Sequence, residues 1–150
     1  YRMIRFANPV LTHLPRFLSH DGGESHCFGA IQKGFASLDT EIRHLANPCS
    51  MDYLSLAGSI EDHANNTPLV AQHLRQIVHD LQYIYGMELI HACQAIELRK
   101  LDGGFTQGIG TAKAYEAFRQ TMPLYKNDRP LAPDVQKAFE FVKNGELLKI

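Results

Sequence analysis

The feature that most constrains the fold is a long stretch without proline in the middle of the chain. It begins at Thr67, a plausible helix cap, and Pro68, which fits the first helical position, and it extends to Lys100. Apolar residues recur along it at roughly helical spacing: Val70, Leu74, Ile77, Leu81, Ile84, Leu89, Ala92 and Ile96. A helix of about 33 residues is roughly 50 Å long. Because its apolar positions lie on more than one side, it needs several partner helices.

Shorter helices are predicted on both sides of this one. They cover residues 1–7, Glu24 to about Ala46, about 112–121 with Thr111 as a cap, and a last helix that starts at Pro133 and is closed by Asn144-Gly145. Gly86, inside the long helix, costs about 1 kcal/mol relative to alanine and suggests a close helix crossing. No segment has the pattern of a strand. We therefore predict an all-α fold, a bundle built on the long helix.

Composition and charge narrow the classes of function. Apolar residues make up 45% and charged residues 21% of 150 residues, which suits one globular domain. A net charge of −1 predicts neither nucleic-acid binding nor attachment to an anionic membrane. No apolar run approaches the ~20 residues that span a bilayer. The chain begins at Tyr1 inside an apparent amphipathic element, so we expect it to be a piece of a longer protein.

The cysteines and histidines predict neither a disulfide framework nor a metal site. Cys27, Cys49 and Cys93 are odd in number and widely spaced, which favours a reducing compartment, the cytoplasm. His73 and His79 are six positions apart and so lie on different faces of a helix. Neither a phosphate-binding glycine loop nor a G-x-S-x-G nucleophile motif occurs.

The octet SIEDHANN, residues 59–66, directly precedes the long helix and is the main candidate for a site. One interpretation is structural: Asp62 or Asn66 caps the helix, and Glu61 and His63 are solvated. The other is that one of the charged residues belongs to a site. From composition alone, the structural interpretation is favoured.

Five segments in order resemble the C-terminal part of the aromatic amino-acid ammonia-lyases, above all the histidine ammonia-lyases. They are VLTHLPRFL, ESHCFGAIQKGFASLDTEIRHLANPCSMD, SIEDHANN, ELIHACQAIELR and DRPLAPDV. The positions that match the motifs of that family are Phe28, Gln32, Glu41, Pro48, Ser50, Asp52, Glu61, Asp62, His63, Glu88, Leu89, Ala92 to Ala95, Asp128, Arg129 and Ala132 to Asp134. Each match is weak alone, but the ordered set covers essentially the whole chain.

The resemblance implies a fumarase/aspartase-like helical fold in which residues 1–150 form a C-terminal helical segment. It implies a homotetramer that eliminates ammonia from an aromatic amino acid to give the α,β-unsaturated acid. It also implies a methylidene-imidazolone (MIO) electrophile made from an internal Ala-Ser-Gly, without a metal. Here Ala57-Gly58-Ser59 has the wrong order, so the electrophile is expected outside these residues. The 150-residue chain alone is therefore expected to be inactive.

Of the octet, the resemblance places Glu61 in the substrate pocket, where it takes part in proton handling. A carboxylate can accept a hydrogen bond from an imidazole N–H and favours the cationic ring, but it is poorly satisfied against a phenyl ring. Histidine is therefore the first candidate substrate and tyrosine the second. Asp62 and His63 are interpreted as structural, holding the start of the long helix.

The octet also departs from the family pattern, because Ser59 and Ile60 replace an asparagine and a glutamine. Two alternatives to a histidine or tyrosine lyase therefore stay open. One is an aromatic aminomutase. The other is a non-catalytic helical scaffold or oligomerisation module derived from the family.

Overall fold

The long helix predicted from the sequence is the axis of the fold. The computed structural model describes residues 1–49, 54–61, 66–103 and 106–150. It contains the helices α1 (Arg2–Phe6), α2 (Pro9–Thr12), α3 (Ile31–Leu45), α4 (Thr67–Leu101), α5 (Ile109–Thr121) and α6 (Ala132–Lys143). Within these ranges, the one β-type pairing is an isolated antiparallel bridge between Leu56 and Glu61. The all-α prediction is confirmed.

α4 has 35 residues, with Pro68 in its first turn as predicted. Its N-cap is Asn66 rather than Thr67. The Asn66 side chain does not cap the helix; it donates from Nδ2 to the carbonyl oxygen of Cys49 at 3.1 Å. The start of the long helix is therefore tied to Cys49, four residues after the end of α3. None of the helices in the described ranges combines the length and hydropathy needed to cross a bilayer.

α3 begins at Ile31, seven residues later than the start predicted at Glu24. The backbone N–H groups of His26 and Cys27 donate to the carboxylate of Asp128, at 3.0 and 2.9 Å, and Cys27–Gly29 form a short 3₁₀ turn before the α-helix begins. Cys27 also has a left-handed φ of 37°. Because the contact with Asp128 joins residues about 100 positions apart, sequence periodicity cannot reveal it, and the predicted start of α3 is too early.

The two C-terminal helices follow the prediction more closely. α5 begins at Ile109 with Gly108 at its N-cap, so the cap expected at Thr111 is wrong. α6 ends at Lys143 and is followed by Gly145 with a φ of 65°, the left-handed conformation expected after a helix.

α4 and α6 cross in close contact at Gly86. A Cβ atom placed on Gly86 would lie 2.9 Å from the carbonyl carbon of Ala138 and 3.0 Å from the nitrogen of Phe139. A side chain of any size would push the two backbones apart. The predicted helix crossing at this glycine is confirmed.

The hydrophobic core surrounds the C-terminal half of α4. Met87, Ile90, Cys93 and Leu98 of this helix are all at most 6% exposed. They share the core with aromatic residues from the other elements: Phe28, Phe35, Phe118, Tyr125 and Phe141. Removing this apolar surface from water supplies the main driving force that holds the helices together.

Candidate functional site

Glu61, the residue expected to lie in a substrate pocket, is the last residue of a tight loop. Two backbone hydrogen bonds between Glu61 and Leu56 close this loop. The N–H of Glu61 donates to the carbonyl of Leu56 at 3.3 Å, and its carbonyl accepts from the N–H of Leu56 at 3.0 Å. Between them, Ala57, Gly58 and Ser59 have φ values of 52°, 66° and 72°. Only the glycine adopts such a conformation without strain. Strained backbone of this kind occurs at functional sites more often than elsewhere.

The Glu61 side chain is exposed and makes no hydrogen bond or ion pair with the described part of the chain. Its neighbour Ile60 is 86% exposed, and Leu54, earlier in the same loop, is 75% exposed. The other members of the predicted site region, Asp62 and His63, lie outside the described residues, as do Ser50 and Asp52. The loop thus presents a carboxylate beside apolar side chains.

The motif matched at Asp128 to Asp134 forms a structural clamp. The Asp128 carboxylate holds the backbone before α3, and Arg129 donates from Nη2 to Oδ2 of Asp134, in the first turn of α6, at 2.5 Å. The Tyr125 hydroxyl accepts from the Arg129 N–H and donates to its carbonyl, at 2.8 and 2.9 Å. The charged groups of the motif therefore bind other parts of the protein and connect the segment before α3 to the start of α6.

The motif matched at Ala92 to Ala95 is structural as well. Gln94 is fully buried, and its Nε2 donates to the carbonyl oxygens of Leu18 and Tyr125 at 3.2 and 2.8 Å. Its Oε1 accepts from the N–H of Tyr125 at 3.3 Å. One side chain therefore satisfies three backbone groups that would otherwise be buried without partners.

His91 is a buried titratable residue that the sequence analysis did not single out. Its Nδ1 donates to the Met87 carbonyl at 2.7 Å, its Nε2 has no partner among the described residues, and its ring lies 4.7 Å from that of Phe28. Burial lowers the pKa of His91 to about 4, although the Met87 carbonyl acts in the opposite direction. The imidazole is therefore neutral at pH 7. The sequence does indicate its burial, because its helical spacing from Met87, Gln94 and Leu98 places it on the same face of α4 as these buried residues.

A cavity of about 840 Å³ lies between α3, α4 and the segment 125–136. Several of its polar lining groups are engaged already: Tyr83 donates from its hydroxyl to Oε1 of Gln136 at 2.7 Å, and Asp128 and Arg129 belong to the clamp. Glu61 does not line it. No group of three or more potential metal ligands occurs within the described ranges. The cavity therefore does not bring the predicted site residue together with others.

Comparison with known proteins accounts for the ordered motifs. The family model for aromatic amino acid lyases matches residues 1–120. Histidine ammonia-lyase from Clostridium tetani is 35% identical over 99% of this chain and 29% of its own length. The crystal structure of ergothionase, an ergothioneine-degrading enzyme from Treponema denticola, is 47% identical with a TM-score of 0.93, over 100% of this chain and 30% of that chain. The crystal structure of tyrosine aminomutase from Streptomyces globisporus is 26% identical with a TM-score of 0.90, over 99% of this chain and 28% of that chain.

The chain thus spans 29% of the curated relative and 30% of the ergothionase chain. The family in general depends on MIO. These 150 residues hold no Ala-Ser-Gly from which it could form, so they do not fit the group by themselves. The curated relatives are by name histidine ammonia-lyases, which are carbon–nitrogen lyases. With a family model matched over most of its length and relatives of this identity, the chain belongs to the aromatic amino acid lyase family.

Proposed function

We propose that the protein containing this chain is a carbon–nitrogen lyase acting on an α-amino acid with an imidazole-type side chain, either L-histidine or ergothioneine. Residues 1–150 are its C-terminal helical segment. The observation that carries the proposal is the 47% identity to an ergothioneine-degrading enzyme over the entire chain, against 26% to a tyrosine aminomutase. The 35% identity to histidine ammonia-lyase also supports a substrate with an imidazole-type ring.

The reaction is an elimination. A base removes a proton from Cβ, the Cα–N bond breaks with its electron pair leaving on nitrogen, and a double bond forms between Cα and Cβ. L-Histidine releases ammonia, whereas ergothioneine, a trimethylated betaine, releases a neutral tertiary amine. Both give an α,β-unsaturated acid conjugated with the ring. The β-proton is weakly acidic, so groups that stabilise the developing charge control the rate.

Glu61 is proposed to bind the substrate ring. Its carboxylate accepts a hydrogen bond from a ring N–H and favours the cationic ring. A cationic ring withdraws electrons from Cβ and makes the β-proton more acidic. The exposed position of Glu61, without a partner in the described part of the chain, supports this role because its hydrogen-bonding capacity is still available.

The remaining walls of the pocket are proposed to come from the rest of the polypeptide and from neighbouring subunits of a homotetramer. The exposed apolar side chains of Leu54 and Ile60 beside Glu61 support such a covered surface. An MIO group, formed from an Ala-Ser-Gly outside this chain, belongs to the same proposal for the histidine substrate. We also propose a cytoplasmic location, on the basis of the three unpaired cysteines in this part of the protein.

Tyrosine is the second candidate substrate, in a lyase or aminomutase reaction. The observation in its favour is the structural likeness to tyrosine aminomutase, with a TM-score of 0.90. A phenol hydroxyl can also donate to the Glu61 carboxylate. A non-catalytic scaffold is the remaining alternative, and it is consistent with the structural use of Gln94, Asp128 and Asp134.

The test uses the full-length protein with L-histidine, ergothioneine and L-tyrosine, measuring the ultraviolet absorbance of the unsaturated product and the released amine. We expect turnover of an imidazole substrate. Replacing Glu61 by glutamine, or by alanine, should lower kcat/KM for it by about tenfold or more. Glu24→Gln, at an exposed glutamate away from the loop, is the matched control and should leave kcat/KM unchanged.

The outcomes separate the alternatives. Turnover of tyrosine alone overturns the choice of substrate. A folded full-length protein that neither releases amine from nor isomerises any of the three supports the scaffold. Wild-type kinetics in Glu61→Gln removes this residue from the site while leaving the lyase assignment intact.

A further inference from the structure

Cys49 and His73 form a thiol–imidazole pair that neither the motifs nor the proposed lyase chemistry uses. The Cys49 Sγ lies 3.6 Å from Nδ1 of His73, although the two residues are 24 positions apart in the chain. Cys49 lies four residues after the end of α3, and His73 lies in the second turn of α4. The hydrogen bond from the Asn66 amide to the Cys49 carbonyl holds this loop against the start of α4. The pair is therefore positioned by two elements.

A cavity of about 450 Å³ lies beside the pair, and both residues line it. Its other walls are largely apolar, with Val70, Leu74 and Ile77 on α4 facing Leu45 and Pro48. Cys49 and His73 are each partly exposed, so within residues 1–150 a small molecule in this cavity can reach the sulfur. An apolar cavity of this size has room for a compact aromatic or aliphatic group.

The other two cysteines show the opposite arrangement. Cys27 and Cys93 are 3% and 4% exposed. Burial raises the pKa of the Cys27 thiol to about 12 and that of Cys93 to about 11. The Cys27 Sγ also donates to the carbonyl of Leu18 at 3.4 Å, whereas the Cys49 Sγ has a longer contact of 3.8 Å with the carbonyl of Asn47 besides the one with His73. Because the thiolate is the reactive form, both residues are held in an inert state and serve as internal references.

We propose that Cys49 is a site of thiol–disulfide exchange with small apolar disulfides, and that His73 acts as its base. Nδ1 of His73 takes the proton of the thiol, and the thiolate attacks one sulfur of the disulfide. The S–S bond of the reagent breaks as the bond to Cys49 forms, and the leaving thiolate takes the proton from His73. The products are a mixed disulfide on Cys49 and one free thiol. The step is independent of Glu61 and of the proposed elimination.

The test exposes the native full-length protein to 2,2′-dithiodipyridine and follows the absorbance of the released pyridinethione. Peptide mapping of samples quenched with acid then gives separate rates for Cys27, Cys49 and Cys93. We expect Cys49 to react at least about tenfold faster than Cys27 and Cys93, since they are buried. His73→Gln should slow Cys49 by about tenfold, because the thiol loses its proton acceptor.

The matched control is His44→Gln, which makes the same change at an exposed histidine of α3 that does not line the cavity. It should leave the rate at Cys49 unchanged. The proposal is overturned if Cys49 reacts no faster than the two buried cysteines, or if His73→Gln reacts like wild type. Circular dichroism and melting verify folding, and should His73→Gln not fold, the rates of the three cysteines in the wild-type protein decide. The lyase assay is a separate readout, so either proposal can fail without the other.

Discussion

The two halves of α4 belong to one continuous helix but have opposite surroundings. In the C-terminal half, Met87, Ile90 and Leu98 are at most 6% exposed, and the polar residues His91 and Gln94 are fully buried. In the N-terminal half, large apolar side chains remain exposed, among them Leu69 at 43%, Val70 at 49%, Leu74 at 59% and Val78 at 46%. The same helical periodicity therefore occurs both where the helix is buried in a core and where its apolar side chains are exposed in the described part of the chain.

The difference follows from which elements pack on each half. α3, α6 and the segment around Tyr125 surround the C-terminal half, and the backbone contact at Gly86 brings α6 close to it. On the N-terminal half, the end of α3 and the loop to Cys49 border the cavity that the apolar residues line. Three substitutions test this contrast, beginning with the largest expected effect.

Gly86→Ala should be the most damaging small change in the C-terminal half. The added methyl group would lie 2.9 Å from the Ala138 carbonyl carbon, where only backbone movement relieves the clash. We expect the free energy of unfolding to fall by about 2–3 kcal/mol, as for overpacking of a core. Urea denaturation measures it.

The matched control for this change is Gly34→Ala in α3, where a Cβ atom meets nothing within 4 Å. There alanine should stabilise the helix by about 0.5–1 kcal/mol. Equal effects at the two glycines would contradict the close crossing.

His91 should make the C-terminal half sensitive to acid. Its pKa is about 4 in the folded chain and about 6.5 when unfolded. Below pH 6.5 the unfolded chain therefore binds a proton that the folded chain does not. The free energy of unfolding therefore falls as the pH drops from 6.5 toward 4, by about 1.4 kcal/mol per pH unit.

His91→Gln removes this proton uptake. From pH 7 to pH 5, the variant should lose about 2 kcal/mol less stability than wild type, as measured by urea denaturation at each pH. His44→Gln, at an exposed histidine, is the reference. An acid response in His91→Gln identical to that of wild type would mean that the imidazole titrates normally.

Leu74→Ser should have the smallest effect on stability and a larger one on association. Because Leu74 is 59% exposed, the free energy of unfolding of the isolated chain should change by no more than about 0.5 kcal/mol. We expect the isolated chain to associate through this apolar surface. Sedimentation velocity should show less association for the double variant Leu74→Ser, Val78→Ser. A monomeric wild-type chain would contradict this.

The agreement between sequence and structure was best where the signal is local. The extent of α4, the left-handed Gly145 after α6 and the crossing at Gly86 were predicted, because periodicity, capping and glycine placement report on nearby backbone. The start of α3 was predicted wrongly, because Asp128, about 100 positions away, binds the N–H groups of His26 and Cys27.

The candidate site was predicted only in part. The octet directed attention to Glu61, which lies exposed at the end of a strained loop, and its role stays a prediction. Asp128, Arg129 and Gln94 were recognised as family positions, but their function as ties between distant backbone groups required coordinates. Cys49 and His73 were each considered alone, because nothing in their spacing indicates that they meet.

The sequence by itself determined the helical class, the length of the central helix and the family, because these depend on periodicity and on the order of motifs. Only the tertiary structure decided which half of α4 is buried, which polar groups are paired, and which cysteine is accessible. The physical reason is that burial and pairing depend on contacts between residues far apart in the chain. A local pattern states that a face is apolar, but not what covers it.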